Sequence, residues 1–412
     1  MNLFHTADWH LGQLLHGHSR AFEHQQFLTW LLDTLEAEQA DALLICGDLF
    51  DSANPPAYAW QMLYRFLADC RRRLPNLDLV LVGGNHDSPA KLDAPHSLLA
   101  SFGITVIGQL PRGEDGAPDW PRLVLPLTDH SGAVAAWCLA MPFLRSADLN
   151  LSDPALDTEE DKLIGAVARL YQAGTEAMIA QRQPDQALVA TGHAYLAGTE
   201  LSELSERRIL GGNQHALPLG RFPESLDYLA LGHLHKAQRV DKAGKVRYSG
   251  SPIPLSLAEE HYPHQVRKLR IEAGEVVAND ALRVPRAVPI LRLPKTPADL
   301  ASVLTTLEAQ EWPEVAPERQ PLLEVRVALS APEPRLRERI LAVLEDKPVR
   351  LARIQVTHPD AAPGETLPGQ GLDQLNPTQV FVQGYQAQFG EAPAEGLLHA
   401  FDTLVAELEE QA

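Results

Sequence analysis

The chain has 412 residues, 45% hydrophobic and 22% charged, and a formal net charge of −19. These values suit a globular protein with an ample core. They oppose charge-driven binding to nucleic acid unless bound cations assist. No apolar run approaches the roughly 18 residues of a membrane span, and three cysteines, Cys46, Cys70 and Cys138, imply no disulfide framework. Cys46 sits in an apolar run and reads as a buried thiol. Met1–His5 lacks the charged-then-apolar layout of a signal peptide, so a cytoplasmic protein without membrane association is expected.

In chain order, residues 3–7 read as a strand ending in Asp8-Trp9-His10. A helix follows, with Phe27, Trp30, Leu31 and Leu35 at helical spacing. A buried strand over 42–46 runs into Gly47-Asp48-Leu49-Phe50-Asp51. Pro55-Pro56 then opens a helix over 57–70, with Trp60, Leu63, Tyr64 and Leu67 along one side. Residues 77–82 form a third strand ending in Gly83-Gly84-Asn85-His86-Asp87, where the glycines are expected to allow a sharp turn and close approach. Strand alternating with helix predicts a layered α/β domain with a largely parallel sheet.

Beyond it, 92–102 reads as one helix, and strands are expected over 104–107, 122–127 and 134–141. A long helix over 158–181 starts with an acidic turn. Strands over 187–190 and 228–231 end in Thr191-Gly192-His193 and Gly232-His233-Leu234-His235. Residues 245–249 and 265–272 read as strands of a second, more antiparallel sheet. Composition shifts near Pro285, and strand, helix, strand, helix, strand over 288–356 predicts a small α+β domain without a chemical cluster.

Residues 358–372 read as a Pro/Gly-rich linker. Asn376-Pro377 then starts a helix pair with Phe381, Tyr385 and Phe389 on one face and Leu397, Leu398, Phe401, Leu404, Val405 and Leu408 on the next. From Ile354 onward there is no Lys or Arg against nine acidic residues, so this tail carries −9 of the net charge of −19. An acidic helix pair on a linker suits a protein partner better than DNA.

Asp8, His10, Asp48, Asn85, His86, Asp87, His193, His233 and His235 thus fall at the ends of five apolar strand-like runs. Open α/β sheets bind ligands at such ends. Carboxylates, imidazoles and one amide suit Mn²⁺, Fe or Zn²⁺ better than Ca²⁺ or Mg²⁺. The donors are too many for one ion, which implies a two-metal site suited to a phosphate diester. Asp48, on a central strand, is the natural bridging carboxylate. Arg20, Lys91, Arg145 and Lys236 lie near these motifs and read as solvated surface residues.

The motifs Asp8-x-His10, Gly47-Asp48-x-x-Asp51, Gly84-Asn85-His86-Asp87, Gly192-His193 and Gly232-His233-x-His235 resemble those of the calcineurin-like metallophosphoesterases. The longer forms HTADWHLG, GDLFD, GGNHDSP and LGHLHKAQ are similar to the SbcD family, the Mre-type nuclease subunits of bacterial SbcCD complexes. The likeness covers the whole chain, although over about the last 130 residues it is one of architecture. It implies a layered metallophosphoesterase β-sandwich flanked by helices over 1–284, a capping domain over 285–358, a linker over 359–372 and an SbcC-binding helix-loop-helix over 373–412.

Carried over by residue, it implies one ion held by Asp8, His10, Asp48 and His235 and a second held by Asp48, Asn85, His193 and His233. His86 would protonate the leaving 3′ oxygen or stabilise the transferring phosphoryl group, with Asp87 orienting it. The family further implies Mn²⁺, 3′–5′ exonuclease activity on double-stranded DNA ends, and endonuclease activity on single strands and hairpins. The setting is DNA end processing, repair, recombination and replication. Partners would be an SbcC-type coiled-coil ATPase and a second copy of the chain, joined through helices near 57–70 and 92–102 into the homodimer of a heterotetramer. Serine/threonine phosphatases share the metal motifs, but Ser52 and Asp87 depart from their pattern. A small-molecule phosphodiesterase has no use for the last 130 residues, and a catalytically dead scaffold would have lost donors that are all present here.

Overall fold

The computed structural model describes residues 1–149, 151, 158–200, 216–331 and 333–357, together with 381–382, 385–386, 393, 397–398 and 401. β1 (Asn2–Thr6) leads through the hairpin of β2 (Leu14–Leu15) and β3 (His18–Ser19) into α1 (Ala21–Ala37). β4 (Ala42–Cys46), α2 (Ala57–Arg73), β5 (Asp78–Val82), α3 (Pro89–Asp93), α4 (His96–Ala100) and β6 (Ile104–Ile107) follow. Next come α5 (Trp120–Leu123), β7 (Val124–Thr128), β8 (Val134–Leu139), α6 (Glu159–Ile179), β9 (Ala187–His193) and β10 (Tyr228–Gly232). β11 (Gln238–Arg239), β12 (Val246–Tyr248), β13 (Gln265–Glu272) and β14 (Glu275–Arg283) complete two six-stranded sheets, ordered β14-β13-β1-β4-β5-β6 and β11-β12-β10-β9-β8-β7.

The strands nearest the centre have both faces covered, so they read as continuous apolar runs instead of alternating ones. Every residue of β4 is buried: Leu43 and Ile45 pack toward the helices, and Leu44 and Cys46 toward the second sheet. On the helix side, α1 buries Phe27, Leu28, Leu31, Leu32 and Leu35, and α2 buries Ala59, Leu63, Phe66, Leu67 and Cys70. Each such Leu, Ile or Phe contributes roughly 1.5–3 kcal/mol of burial. Tyr64, at the edge of the apolar side of α2, is 39% exposed and stacks on Trp60. All three cysteines are buried free thiols, and burial pushes those of Cys70 and Cys138 up to about 12.

Several expectations shift. The helix expected over 92–102 is divided, because Pro95 cannot continue one: it lacks the N–H and its ring crowds the preceding turn. The strand expected from 122 begins as the short α5, whose backbone turns into β7 at Val124. Residues 245–249 and 265–272 do not share a sheet. β12 pairs with β10 in the second sheet, whereas β13 runs antiparallel beside β1 in the first, pairing Leu3 with Leu269 and covering an edge that would otherwise stand open.

β15 (Ile290–Ala298), β16 (Leu322–Ala328) and β17 (Arg350–Thr357) form a third sheet, with α7 (Leu300–Ala309) and α8 (Leu336–Leu344) as crossovers. Its strands are all parallel, so it is wound as a small α/β unit where the sequence suggested α+β. It has its own core of Val303, Leu307, Leu323, Val325, Val327 and Ile340. It joins the larger sheets through Leu15, Leu257, Val288, Ile290 and Leu322. The linker and most of the expected helix pair lie outside the described residues. Phe381, Tyr385, Leu397, Leu398 and Phe401 are helical, and the Phe381 and Phe401 rings stack at 4.3 Å. Among the described residues no helix is long and apolar enough to cross a membrane.

The sheets approach closely at Gly232, where an added Cβ would sit 1.9 Å from the Cys46 carbonyl oxygen. Gly232→Ala is expected to cost about 3 kcal/mol, the upper end of overpacking penalties, because the obstacle is backbone. Urea unfolding at constant m would measure it.

Candidate metal centre

The two sheets bring five strand ends to one place. Asp8 and His10 follow β1, Asp48 follows β4, and Asn85, His86 and Asp87 follow β5, all from the first sheet; His193 ends β9, and His233 and His235 follow β10, from the second. β1 and β4 continue to pair beyond their ends: Asp8 N–H donates to Gly47 O at 3.0 Å, His10 N–H to Asp48 O at 3.0 Å and Leu11 N–H to Leu49 O at 2.9 Å. Keeping those bonds while turning the side chains inward requires left-handed backbone. Seven described non-glycine residues have positive φ, and four of them are Asp8 (55°), His10 (47°), Asp48 (50°) and His233 (100°). Each costs of order 1–3 kcal/mol and persists only where its surroundings over-determine it.

Gly83 and Gly84 act through close approach, and the chain bends directly after them over residues 85–87. Neither has positive φ, but a Cβ on Gly84 would lie 2.1 Å from Asp48 Oδ1.

Donor atoms from Asp8, His10 and His235 lie within 4.8 Å of one another, as do those of Asp8, Asp48 and His193. Asp48 Oδ2 is 3.5 Å from His10 Nε2 and 3.3 Å from His193 Nε2, between the two groups. Asn85 Oδ1 lies 2.9 Å from His193 Nε2 and 3.1 Å from His233 Nδ1. All these side chains except Asn85 are buried, and Asp8 Oδ2 and His10 Nε2 have no hydrogen-bond partner among the described residues. Buried polar atoms are rarely left so. Orphaned carboxylate and imidazole atoms converging at this spacing fit divalent ions. The histidines are held by their other nitrogens: His10 Nδ1 faces Asp51 Oδ1 at 3.2 Å, His193 Nδ1 faces Cys46 O at 2.9 Å, and His235 Nδ1 faces Glu259 Oε1 at 3.0 Å.

The electrostatics follow from burial and crowding. Burial raises Asp8, the charges of His193 and His235 only partly opposing it. Burial would raise Asp48 too, but the charge and hydrogen bond of His193 outweigh it and hold this carboxyl well below its usual range. For His193 burial acts downward, yet Asp48 lifts the ring to about 9. His233 is driven down to about 3 by burial and the His193 charge.

Asp87 steadies His86 through the backbone and not by a hydrogen bond to its ring. Its Oδ2 accepts from Gly84 N–H at 2.9 Å and Leu49 N–H at 3.1 Å, and its Oδ1 accepts from Phe50 N–H at 3.0 Å, so it staples the β5 loop to the β4 loop. Its carboxyl is raised to about 6 by burial and the nearby Asp48 charge. The His86 ring is set instead by the Asp51 carbonyl, 2.9 Å from Nδ1, and its N–H donates to Asp48 Oδ1 at 2.9 Å.

Two of the four cations assigned to solvated surface are not there. Arg20 is fully buried, pairing with Glu23 and donating to Pro254 O at 2.6 Å. Arg145, half-buried over the Phe143 ring, donates to both Gly84 O and Asp87 O at 3.1 Å and so braces the loop carrying Asn85 and His86. Lys91 bonds at the surface to Ala53 O, and Lys236 pairs with Glu200. Arg145 and Glu259 stand in no motif and act through contacts 24 or more residues away in sequence; Asp51 closes the motif Gly47-Asp48-x-x-Asp51, but its partners His10 and His86 lie 41 and 35 residues away.

In the metal-free protein the lifted His193 ring stabilises the fold fully below pH 6.5, its ordinary value, and loses that contribution as pH rises through about 9. A cation taken up through His193 Nε2 would have to displace the same proton. Divalent-ion affinity is therefore expected to rise across this window, with proton release at pH 7.5. Titration calorimetry in buffers of different ionisation enthalpy checks this; a heat independent of buffer would exclude a protonated His193.

The family model described as calcineurin-like phosphoesterase matches residues 1–237, and that described as type 5 capsule protein repressor C-terminal domain matches residues 286–389. Proteins described as the SbcD component of the SbcCD nuclease are similar over most of their length. The one from Rhodobacter capsulatus is 40% identical over 93% of this chain and 94% of its own. Those from Escherichia coli K12 and Bacillus subtilis are 34% and 32% identical, over 86% and 71% of this chain and 85% and 72% of theirs. The chain belongs to the calcineurin-like metallophosphoesterases and, within them, to the SbcD nuclease family.

Proposed function

We propose that this chain is a two-metal phosphodiesterase that cuts DNA as the nuclease subunit of an SbcCD-type complex. The observation that carries the reading is Asp48 Oδ2 lying within 3.5 Å of one donor histidine from each group, beside His86. Asp8, His10, Asp48 and His235 would hold one ion, and Asp48, Asn85, His193 and His233 the other. The donor set accepts Mn²⁺, Fe or Zn²⁺, and the family likeness favours Mn²⁺. When bound, the ions supply Lewis-acid charge for an in-line displacement at phosphorus.

The chain's own groups do the rest. With Nδ1 donating to Asp51 O, His86 has Nε2 left for substrate; protonated there, it donates to the leaving 3′ oxygen or steadies the phosphoryl oxygens. Asp87 and Arg145 hold its loop in place. The activities proposed are 3′–5′ exonuclease on duplex ends and endonuclease on single strands and hairpins. The partner proposed is an SbcC-type ATPase, gripped by the helix pair over 373–412. A cytoplasmic setting agrees with three unreactive buried thiols.

His86→Ala is expected to lower Mn²⁺-dependent cleavage of blunt duplex DNA by roughly 10²–10⁴-fold while metal analysis still counts two ions. Empty sites in that variant would make His86 a ligand instead. A cyclic dinucleotide or a phosphopeptide cut in preference to duplex DNA, with an SbcC-type ATPase and ATP present, would overturn the nuclease reading.

Self-association rests on a separate patch. Leu98 (62% exposed) and Phe102 (55% exposed) stand beside Tyr64 and Leu67 of α2, the region expected to dimerise. Leu98→Asp should halve the solution mass of a dimer without reducing its two-ion content; a parent protein monomeric at micromolar concentration would remove the dimer from the proposal.

A further inference from the structure

One buried carboxylate stands between the metal centre and the three-stranded domain. Glu259 lies in the short turn Leu257–His261 and is fully buried. Its Oε1 accepts from His235 Nδ1 at 3.0 Å and from the Ser256 hydroxyl at 3.4 Å, and its Oε2 accepts from Leu255 N–H at 2.8 Å. A carboxylate there selects the His235 tautomer protonated on Nδ1, leaving the Nε2 lone pair for the side shared with Asp8 and His10. It also makes that nitrogen a stronger donor. The turn is tied from its far end by His264, whose Nε2 lies 3.1 Å from Glu259 O.

The opposite side of this turn belongs to the three-stranded domain. Leu257 packs with Val288, Ile290 and Leu322, and its carbonyl accepts from Arg292 of β15. Arg292 Nε also pairs with Glu260 at 3.1 Å and with Glu324 of β16 at 3.2 Å. Glu324 is fully buried and is paired in addition with Arg326 and Arg353. Arg292 thus anchors in the charged core of the small domain and grips the turn at Leu257, two residues before Glu259, and at Glu260, one after it.

We propose that Glu259 is a positioning residue for His235, and that Arg292 sets its turn, so that docking of the three-stranded domain governs the affinity of one of the two ions. If that domain shifts, the Arg292 contacts to Glu260 and to Leu257 O are lost together. The turn then relaxes, His235 loses the partner that holds its ring, and one donor of four is no longer pre-aimed. The other ion's donors are held from elsewhere: Asn85 Oδ1 faces His193 Nε2 and His233 Nδ1, and His193 Nδ1 faces Cys46 O. The inference rests on His235 being a ligand.

The test titrates Mn²⁺ alone into metal-free, full-length protein by calorimetry and records the thermal stability of each metal-free variant. Glu259→Gln is expected to weaken one ion by about 10–100-fold and leave the second unchanged. Arg292→Met is expected to weaken the same ion by less, and to add little to Glu259→Gln, because both act through one contact. Glu260→Gln, which opens the same ion pair from the other side, replaces Arg292→Met if that variant is unstable. Equal weakening of both ions, or none, in Glu259→Gln would overturn the positioning role, and unchanged affinity in Arg292→Met or its replacement would overturn the link to the domain. His235→Ala separates this from the underlying reading: if it keeps both ions at parental affinity, His235 is no ligand, whatever Glu259 does.

Discussion

The structure depends on keeping Asp48, with Asp8 beside it, buried and close to histidines from both sheets. Removing a carboxylate from water costs several kcal/mol unless charge and hydrogen bonds compensate. Here Asp48 receives the His86 N–H on one oxygen and faces His10 and His193 with the other, while Asp8 receives the His233 N–H. Those partners come from strands in different sheets, so the sheets must meet at their carboxyl ends. The left-handed backbone at four of the site residues and the missing side chain at Gly84 follow from bringing the loops this near. The site is strained because it is shared.

Around that centre the supporting groups each remove one freedom. Asp87 ties two loops through three backbone donors, so it immobilises His86 indirectly by fixing the chain on either side. Asp51 serves twice: its carboxylate faces His10, and its carbonyl faces His86. Arg145 reaches the same loop from the segment after β8, replacing with a guanidinium the hydrogen bonds that a buried turn leaves open. None of these groups needs to touch substrate. Their effect is to hold donor atoms close to where ions would draw them, so that little reorganisation is left for binding.

The net charge of −19 is compatible with a phosphodiester substrate because charge matters locally. The acidic tail beyond Ile354 carries nearly half of it, and two divalent ions bound at the centre would outweigh the charges of Asp8 and Asp48.

The sequence by itself determined the layered α/β class, the strands whose ends carry chemistry, and the type of each donor, because apolar runs and the residues that close them are local properties. It also showed that Asp48 follows a central strand, since a run buried on both faces is uninterrupted in apolar character. What only the tertiary structure decided are pairings between distant segments. Whether 265–272 joins 245–249 or β1 depends on which edge is open, and periodicity is the same in both cases. Asp87 and its neighbour His86 look like a couple in sequence, yet one faces backbone amides of the β4 loop and the other a carbonyl, because adjacent residues in a turn point apart. Arg20 and Arg145 look like surface cations until the elements that bury them are in place. Glu259 stands in no motif; packing alone brings its oxygen to a histidine 24 residues earlier. Donor identity is written along the chain, but which donor is held by which partner is a matter of three-dimensional proximity.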